Sequence, residues 1–171
     1  MNGIPAAFSL GSNLGDRLAN LRAARDAIAA LSGVTLQACA PVYESEPVGC
    51  PDEFRDQLYL NSILVVGTEL EVHRLFARTQ EIELALGRKR LLRRNVPRTV
   101  DIDLIYYDGQ TVRSGGLVVP HPRWSKRRFV LQPLCDVRPD AVLPGHDRRV
   151  RDILAALPDG EQPVRLVAKF W

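Results

Sequence analysis

Long apolar runs are missing from this chain. No stretch approaches the ~18–20 residues that a membrane-spanning helix needs, so no membrane span is expected. Cysteine is scarce: Cys39, Cys50 and Cys135 are odd in number and far apart. No C-x-x-C pair and no histidine pair at zinc spacing accompanies them, which argues against a disulfide framework and a zinc module. Free thiols in a reducing compartment are the expected state. Met1 to Pro5 has no basic stretch followed by an apolar one, so no secretory signal is expected and the cytoplasm is the expected location. Aromatic residues make up only 6% of the chain, and no RNP1-like aromatic run occurs, which weakens an RNA-reading sheet. A G-x-x-x-x-G-K-[ST] phosphate loop is also lacking. Lysine is nearly absent, since only Lys89, Lys126 and Lys169 of the 23 basic residues are lysine.

What remains is arginine, whose planar fork binds phosphate and carboxylate bidentately. The formal net charge is a mild +3. With 171 residues, 46% of them apolar, the chain has enough material for one packed core, and residues 1–171 are expected to form one domain.

Hydrophobic spacing lays out the elements. Ala6 to Leu10 is a short apolar run that meets Gly11-Ser12-Asn13, a strand ending in a turn. Leu18, Leu21, Ala24, Ile28 and Leu31 recur at helical spacing across Asp16–Leu31, and Gly33 stops that helix. Val34 to Val42 alternates as one strand, and Pro41, Pro47, Gly49 and Pro51 mark a long irregular loop. Tyr59 to Thr68 reads as a buried strand, and Glu71 to Leu86 as the clearest helix. Val100 to Tyr107 reads as a strand closed by Asp108-Gly109, with Leu117 to Val119 returning beside it. Arg149–Leu157 repeats a helical pattern, and Val164–Phe170 ends the series as a short strand.

The order β-α-β-β-α-β predicts an α+β protein with a ferredoxin-like core and a C-terminal extension. The sheet is antiparallel, with helices on its faces. Such a fold hosts many functions and decides none of them.

Chemistry is concentrated in Arg98-Thr99-Val100-Asp101-Ile102-Asp103-Leu104. Strand alternation puts Val100, Ile102, Leu104 and Tyr106 on one face, and Asp101 with Asp103 on the other. Two like charges about 6.5–7 Å apart on one face repel each other, and a divalent cation removes that cost. Mg²⁺ takes one or two carboxylates and completes its shell with water and phosphate oxygens. Directly before the pair, Arg88, Lys89, Arg90, Arg93, Arg94 and Arg98 put six cations into eleven residues. A basic loop beside an acidic metal site suits polyphosphate chemistry, which is mainly positioning plus charge stabilisation. A solvated charge run beside a wet edge strand is the bland alternative. The rival function is a ferredoxin-like RNA-binding module without catalysis.

Several motifs together resemble the 6-hydroxymethyl-7,8-dihydropterin pyrophosphokinase family. They are Leu10-Gly11-Ser12-Asn13-Leu14-Gly15, Tyr59-Leu60-Asn61, Pro97-Arg98-Thr99-Val100-Asp101-Ile102-Asp103, Pro120-His121-Pro122-Arg123 and Arg127-Arg128-Phe129. The resemblance implies transfer of pyrophosphate from ATP to the pterin hydroxymethyl group, with AMP as leaving group, in folate biosynthesis. It implies two Mg²⁺ ions on Asp101 and Asp103, and a catalytic role for Arg88 and Arg98 at the triphosphate. Gln80, Glu83, Arg90, Leu104, His121 and Arg127 match ATP contacts. Ser45, Pro47, Val48, Tyr59, Asn61 and Phe129 match the pterin pocket, with Tyr59 and Phe129 stacking on the ring and Asn61 reading its edge. The partners expected are these two small molecules, with no nucleic acid and no membrane, and the protein is expected to be a monomer.

Overall fold

The strand expected around Ala6–Leu10 runs over Ile4–Ser12 (β1) in a computed structural model that describes residues 3–87, 97–158 and 162–171. Asp16 opens the first helix, Arg17–Ala29 (α1), by accepting the Ala19 N–H at 3.0 Å, as a side-chain cap should. Gly33, at φ +77°, turns the chain after the helix. Next come β2 (Val34–Cys39), β3 (Val42–Ser45), β4 (Tyr59–Thr68) and α2 (Val72–Ala85). The chain continues with β5 (Asp101–Tyr107), β6 (Val112–Ser114) and β7 (Leu117–Val119). It ends with α3 (Arg128–Val137), α4 (Val150–Ala155) and β8 (Val164–Ala168).

The main sheet has the order β5-β1-β4-β3-β8, with β2 also paired to β4. Every pairing in it is antiparallel. With β2 and β3 lying end to end along β4, this is the ferredoxin-like plan, extended at one edge by β8. One face packs Phe8, Leu10, Leu64 and Leu104 against Leu21 and Ile28 of α1 and Leu75 of α2. The opposite face packs Ala7, Ile63, Val65 and Ile105 against Leu131 and Leu134 of α3, Ile153 of α4 and Trp124. Each fully buried Leu, Ile or Phe contributes roughly 1.5–3 kcal/mol, so the two helical layers together fix the sheet.

Four local expectations need correction. Val34–Val42 is two strands, broken at Ala40-Pro41. Proline there offers no N–H to the ladder, and the Ala40 carbonyl instead accepts bonds from the Ser62 hydroxyl and the Trp171 indole, both at 2.8 Å. The irregular loop after Pro41 begins with β3. Leu117–Val119 pairs with β6, not with β5, because Gly115 and Gly116, both at positive φ, make a two-residue hairpin turn. Tyr106 does not share a face with Val100, Ile102 and Leu104. The β1–β5 register shifts between Ala7 and Phe8, which leaves Ile105 as an extra residue. Tyr106 then joins Ile105 in the second core, and Tyr107 takes the first.

Candidate active site

The second face of the sheet is apolar over one half and polar over the other, on the same three strands. On β1, Ala7 lies in the apolar core, while Ser9 and Gly11 line a cavity. On β4, Val65 and Ile63 are core, while Asn61 and Tyr59 line the cavity. On β5, Ile105 is core, while Asp103 and Asp101 line the cavity. Helices α3 and α4 cover the apolar half and leave the polar half as the floor of a space of about 280 Å³.

Register assembles that floor. Gly11 pairs with Asp101 on one side and Asn61 on the other, and Ser9 pairs with Asp103. The two aspartates therefore face the same cavity, as strand alternation predicts. Gly11 keeps the space between them and Asn61 open. A Cβ at this position would lie 3.4 Å from Asn61 Oδ1 and 3.7 Å from Tyr59 Cδ1. Asn61 is buried, and its Nδ2 donates to Ser45 Oγ at 2.9 Å, so the amide is held in one orientation. Glu46, Pro47, Val48 and Cys50 from the segment after β3, and His121, Arg123, Arg127 and Phe129 from the segment leading into α3, complete the lining.

Arg98 Nη1 donates to Asp101 Oδ2 at 2.9 Å. Burial opposes the Arg98 charge, but the Asp101 carboxylate outweighs it and holds its pKa above the usual guanidinium value. Burial raises the Tyr59 phenol, so it stays protonated. His121 is pushed down to about 4, first by burial and then by Arg127 and Arg123. It is a neutral imidazole near pH 7. The Arg123 N–H donates to its Nδ1 at 3.2 Å, which assigns the ring proton to Nε2, the nitrogen 3.9 Å from Asp103 Oδ2. Burial also lowers the pKa of Arg127, helped by Arg123, and the Arg127 guanidinium lies 5.4 Å from the Phe129 ring centre, within cation–π range.

Eleven sequence-predicted site residues thus line one cavity: Ser45, Pro47, Val48, Tyr59, Asn61, Arg98, Asp101, Asp103, His121, Arg127 and Phe129. Leu104 is not among them. It is buried in the core between the sheet and α1/α2. Glu83 is likewise buried, and its Oε1 accepts the Ile102 N–H at 2.7 Å, bracing the strand between the two aspartates. Gln80 lies on α2, half-buried, away from this lining. Arg88 and Arg90 lie outside the described residues. Ser9, Gly11, Glu46, Cys50 and Arg123 line the cavity without having been singled out as site residues. Gly11 and Arg123 sit inside the quoted motifs, and Ser9 was legible as the same-face neighbour of Gly11. Nothing in the local sequence marks Glu46 or Cys50.

The donor set is hard: two carboxylates side by side, the type and number that Mg²⁺ accepts when phosphate and water complete its shell. Three arginines (Arg98, Arg123, Arg127) face three carboxylates (Glu46, Asp101, Asp103) around the cavity. The lining is close to electrically balanced, and bound dications would turn it strongly positive.

A sequence profile of the 7,8-dihydro-6-hydroxymethylpterin-pyrophosphokinase (HPPK) family matches residues 7–139. A 2-amino-4-hydroxy-6-hydroxymethyldihydropteridine pyrophosphokinase of Methylorubrum extorquens is 40% identical over 160 residues, 93% of this chain and 98% of that protein. The enzyme of the same name from Bacillus subtilis is 39% identical over 137 residues, 80% of this chain and 79% of its own. Among solved structures, HPPK-DHPS of Plasmodium falciparum with pteroate superposes with a TM-score of 0.67 at 12% identity, covering 89% of this chain and 42% of the other. A second HPPK-DHPS structure, in complex with substrates, gives 0.70 at 12% identity and 90% coverage of this chain. The chain spans about two fifths of the length of those solved chains, and at that identity the likeness is one of fold.

Proposed function

This chain belongs to the 7,8-dihydro-6-hydroxymethylpterin-pyrophosphokinase family, and from that premise we propose that its cavity transfers pyrophosphate from Mg-ATP to 6-hydroxymethyl-7,8-dihydropterin. One observation carries the reading: the paired aspartates, three arginines and a stacking-and-amide pocket open into one space. Mg²⁺ held by Asp101 and Asp103 supplies charge neutralisation along the polyphosphate.

The residues of the chain do the rest. Tyr59 and Phe129 hold the flat pterin by its faces, and offset stacking is worth about 0.5–1.5 kcal/mol beyond burial. Asn61, held by Ser45, presents amide groups to the donor–acceptor edge of the ring. Ser45, Pro47 and Val48 wall the pocket. Arg98 and Arg127, with Arg88 and Arg90 from the basic segment, bind phosphate oxygens. Neutral His121 offers its Nε2 proton as a hydrogen-bond donor rather than as a charge. Gln80, Glu83 and Leu104 are left out of the nucleotide contacts, because Leu104 is core on the opposite face of the sheet, Glu83 accepts the Ile102 N–H and Gln80 lies away from the cavity lining. The hydroxymethyl oxygen attacks the β-phosphorus in line, the bond to the α-phosphate oxygen breaks, and AMP leaves. The alcohol proton passes to water. No side chain forms a covalent intermediate, so the acceleration comes from alignment and charge neutralisation.

An RNA-binding sheet needs an open face of aromatic and basic groups. Here α3 and α4 cover half of the second face and the open half carries carboxylates, which favours the kinase. Incubation with ATP, Mg²⁺ and reduced hydroxymethylpterin tests this reading. AMP appearing in one-to-one ratio with pterin diphosphate supports it, and salt-sensitive RNA binding without AMP rejects it. Action as a monomer in the cytoplasm is part of the same proposal.

A further inference from the structure

The Leu10–Gly15 motif contains a residue whose work the reaction leaves unassigned. Asn13 is buried, yet its side chain lines no part of the cavity. Its Oδ1 accepts the backbone N–H of Arg98 at 2.9 Å, and its own N–H donates to the Arg98 carbonyl at 3.3 Å. Both backbone polar groups of Arg98 are thus taken by a single residue 85 positions away. The ladder alone would not do this. Continuing the register that pairs Gly11 with Asp101 carries Asn13 to Thr99, so the side chain reaches one residue further and replaces a ladder bond.

Asn13 is itself held from behind. Asn20 of α1 donates from Nδ2 to Ser12 Oγ at 3.2 Å and to the Leu14 carbonyl at 2.8 Å, fixing the residues on either side of Asn13. Gly15, at φ +67°, turns the chain into the Asp16 cap. A continuous run of contacts therefore links α1 through Ser12, Leu14 and Asn13 to Arg98, and through the 2.9 Å guanidinium bond to Asp101.

We propose that Asn13 is a positioning residue for pyrophosphate transfer: it fixes the backbone of Arg98 so that the guanidinium meets Asp101 and the polyphosphate. The proposal rests on the reaction assigned above. Asn13 does not touch either substrate, so losing it lowers turnover more than it weakens pterin binding. Small misplacements of a positioning group cost up to ~100-fold in rate.

The test measures amide hydrogen exchange at Arg98 and steady-state AMP formation, side by side, in the wild type, Asn13→Ala, Asn13→Asp and Asn13→Gln. Melting curves serve as the fold control. Asn13→Ala is expected to speed Arg98 exchange about tenfold or more. It should lower kcat about tenfold or more and leave the pterin KM within about twofold. Asn13→Asp keeps an acceptor at the same reach and recovers most of both. Asn13→Gln keeps the amide but moves it by one carbon, and it carries the test if the alanine variant does not fold. Unchanged exchange or unchanged kcat in Asn13→Ala, or in Asn13→Gln where that variant carries the test, overturns the proposal, as does an Asn13→Asp variant no better than Asn13→Ala. A wild type that makes no AMP rejects the reaction instead, and the exchange data then still show whether Asn13 anchors Arg98.

Discussion

Arg98 and Asp101 stand one helical-turn equivalent apart in sequence yet meet across the start of a strand, Nη1 to Oδ2 at 2.9 Å. Asp101, Asp103 and Arg98 all line the same cavity. One guanidinium can therefore orient a carboxylate and meet a phosphate from the same place. Arg98→Ala is expected to reduce kcat about 10–100-fold. Arg98→Lys should fall between, since an ammonium keeps the charge and loses the fork. Steady-state AMP release over a range of ATP concentrations checks both, and a wild-type rate in Arg98→Ala rejects the assignment.

Asp101→Ala and Asp103→Ala should each lower kcat by about 100-fold or more, because several kcal/mol of charge stabilisation are lost. Pterin binding is expected to change little, since the ring contacts proposed above are Tyr59, Phe129 and Asn61. Rapid-quench turnover together with pterin titration separates the two quantities. Near wild-type turnover in either variant counts against the metal site.

Asn61→Leu keeps the approximate volume and removes the amide. With it goes the hydrogen bond to Ser45 Oγ and the polar edge proposed to read the pterin. Pterin affinity should drop by about tenfold or more, as sites that read a polar edge reject what leaves groups unpaired. Affinity for Mg-ATP should be unaffected. Calorimetric titration of each ligand decides the point, and equal losses for both would argue for a general structural defect.

Glu44 sets an acid limit on stability. Its two oxygens meet Arg165 at 2.7 Å and Arg17 at 3.0 Å. The Arg165 hydrogen bond, and then Arg17 against the cost of burial, hold its carboxyl below the usual value. A carboxyl whose folded pKa is depressed contributes stability above its unfolded pKa and loses it as pH falls through the folded one. Urea unfolding should therefore show wild type more stable than Glu44→Gln near neutral pH, with the gap closing in acid. A constant gap across that range would contradict the pairing.

Phe8→Ala should cost about 3–5 kcal/mol, the usual loss for a fully buried aromatic. Phe8 has no exposed surface and sits between the sheet and α1/α2. Denaturant midpoints measure the loss, and activity at low temperature should survive because the side chain points away from the cavity.

Apolar runs made β1 and β4 legible, because both faces of these central strands are buried, and helical spacing made α1 and α2 legible within a few residues, because each buries one face. Asp101 and Asp103 were legible as a pair because residues two apart on a strand share a face. The break at Ala40-Pro41 was hidden because the alternation of Val34–Val42 runs across it, while the tertiary partners Ser62 and Trp171 claim the Ala40 carbonyl. Helix α3 was hidden by Pro133 inside it, although Val130, Leu131 and Leu134 carry the spacing of a buried stripe. The extra residue at Ile105 depends on the partner strand, which no local pattern shows. The convergence of Glu46 and Cys50 on the cavity is likewise a product of the folded arrangement.

The extra residue at Ile105 works as a detent. Ile105 is fully buried in the core beneath α3, so sliding β5 along β1 by one pleat, the smallest step that keeps its inward and outward faces, would pull it out of that packing. Chain mutations that lengthen or shorten the segments flanking β5 therefore have little freedom to shift the acids away from Gly11 and Ser9. Tolerance to insertions should end abruptly at this strand, while the β6–β7 hairpin beyond it absorbs changes in length.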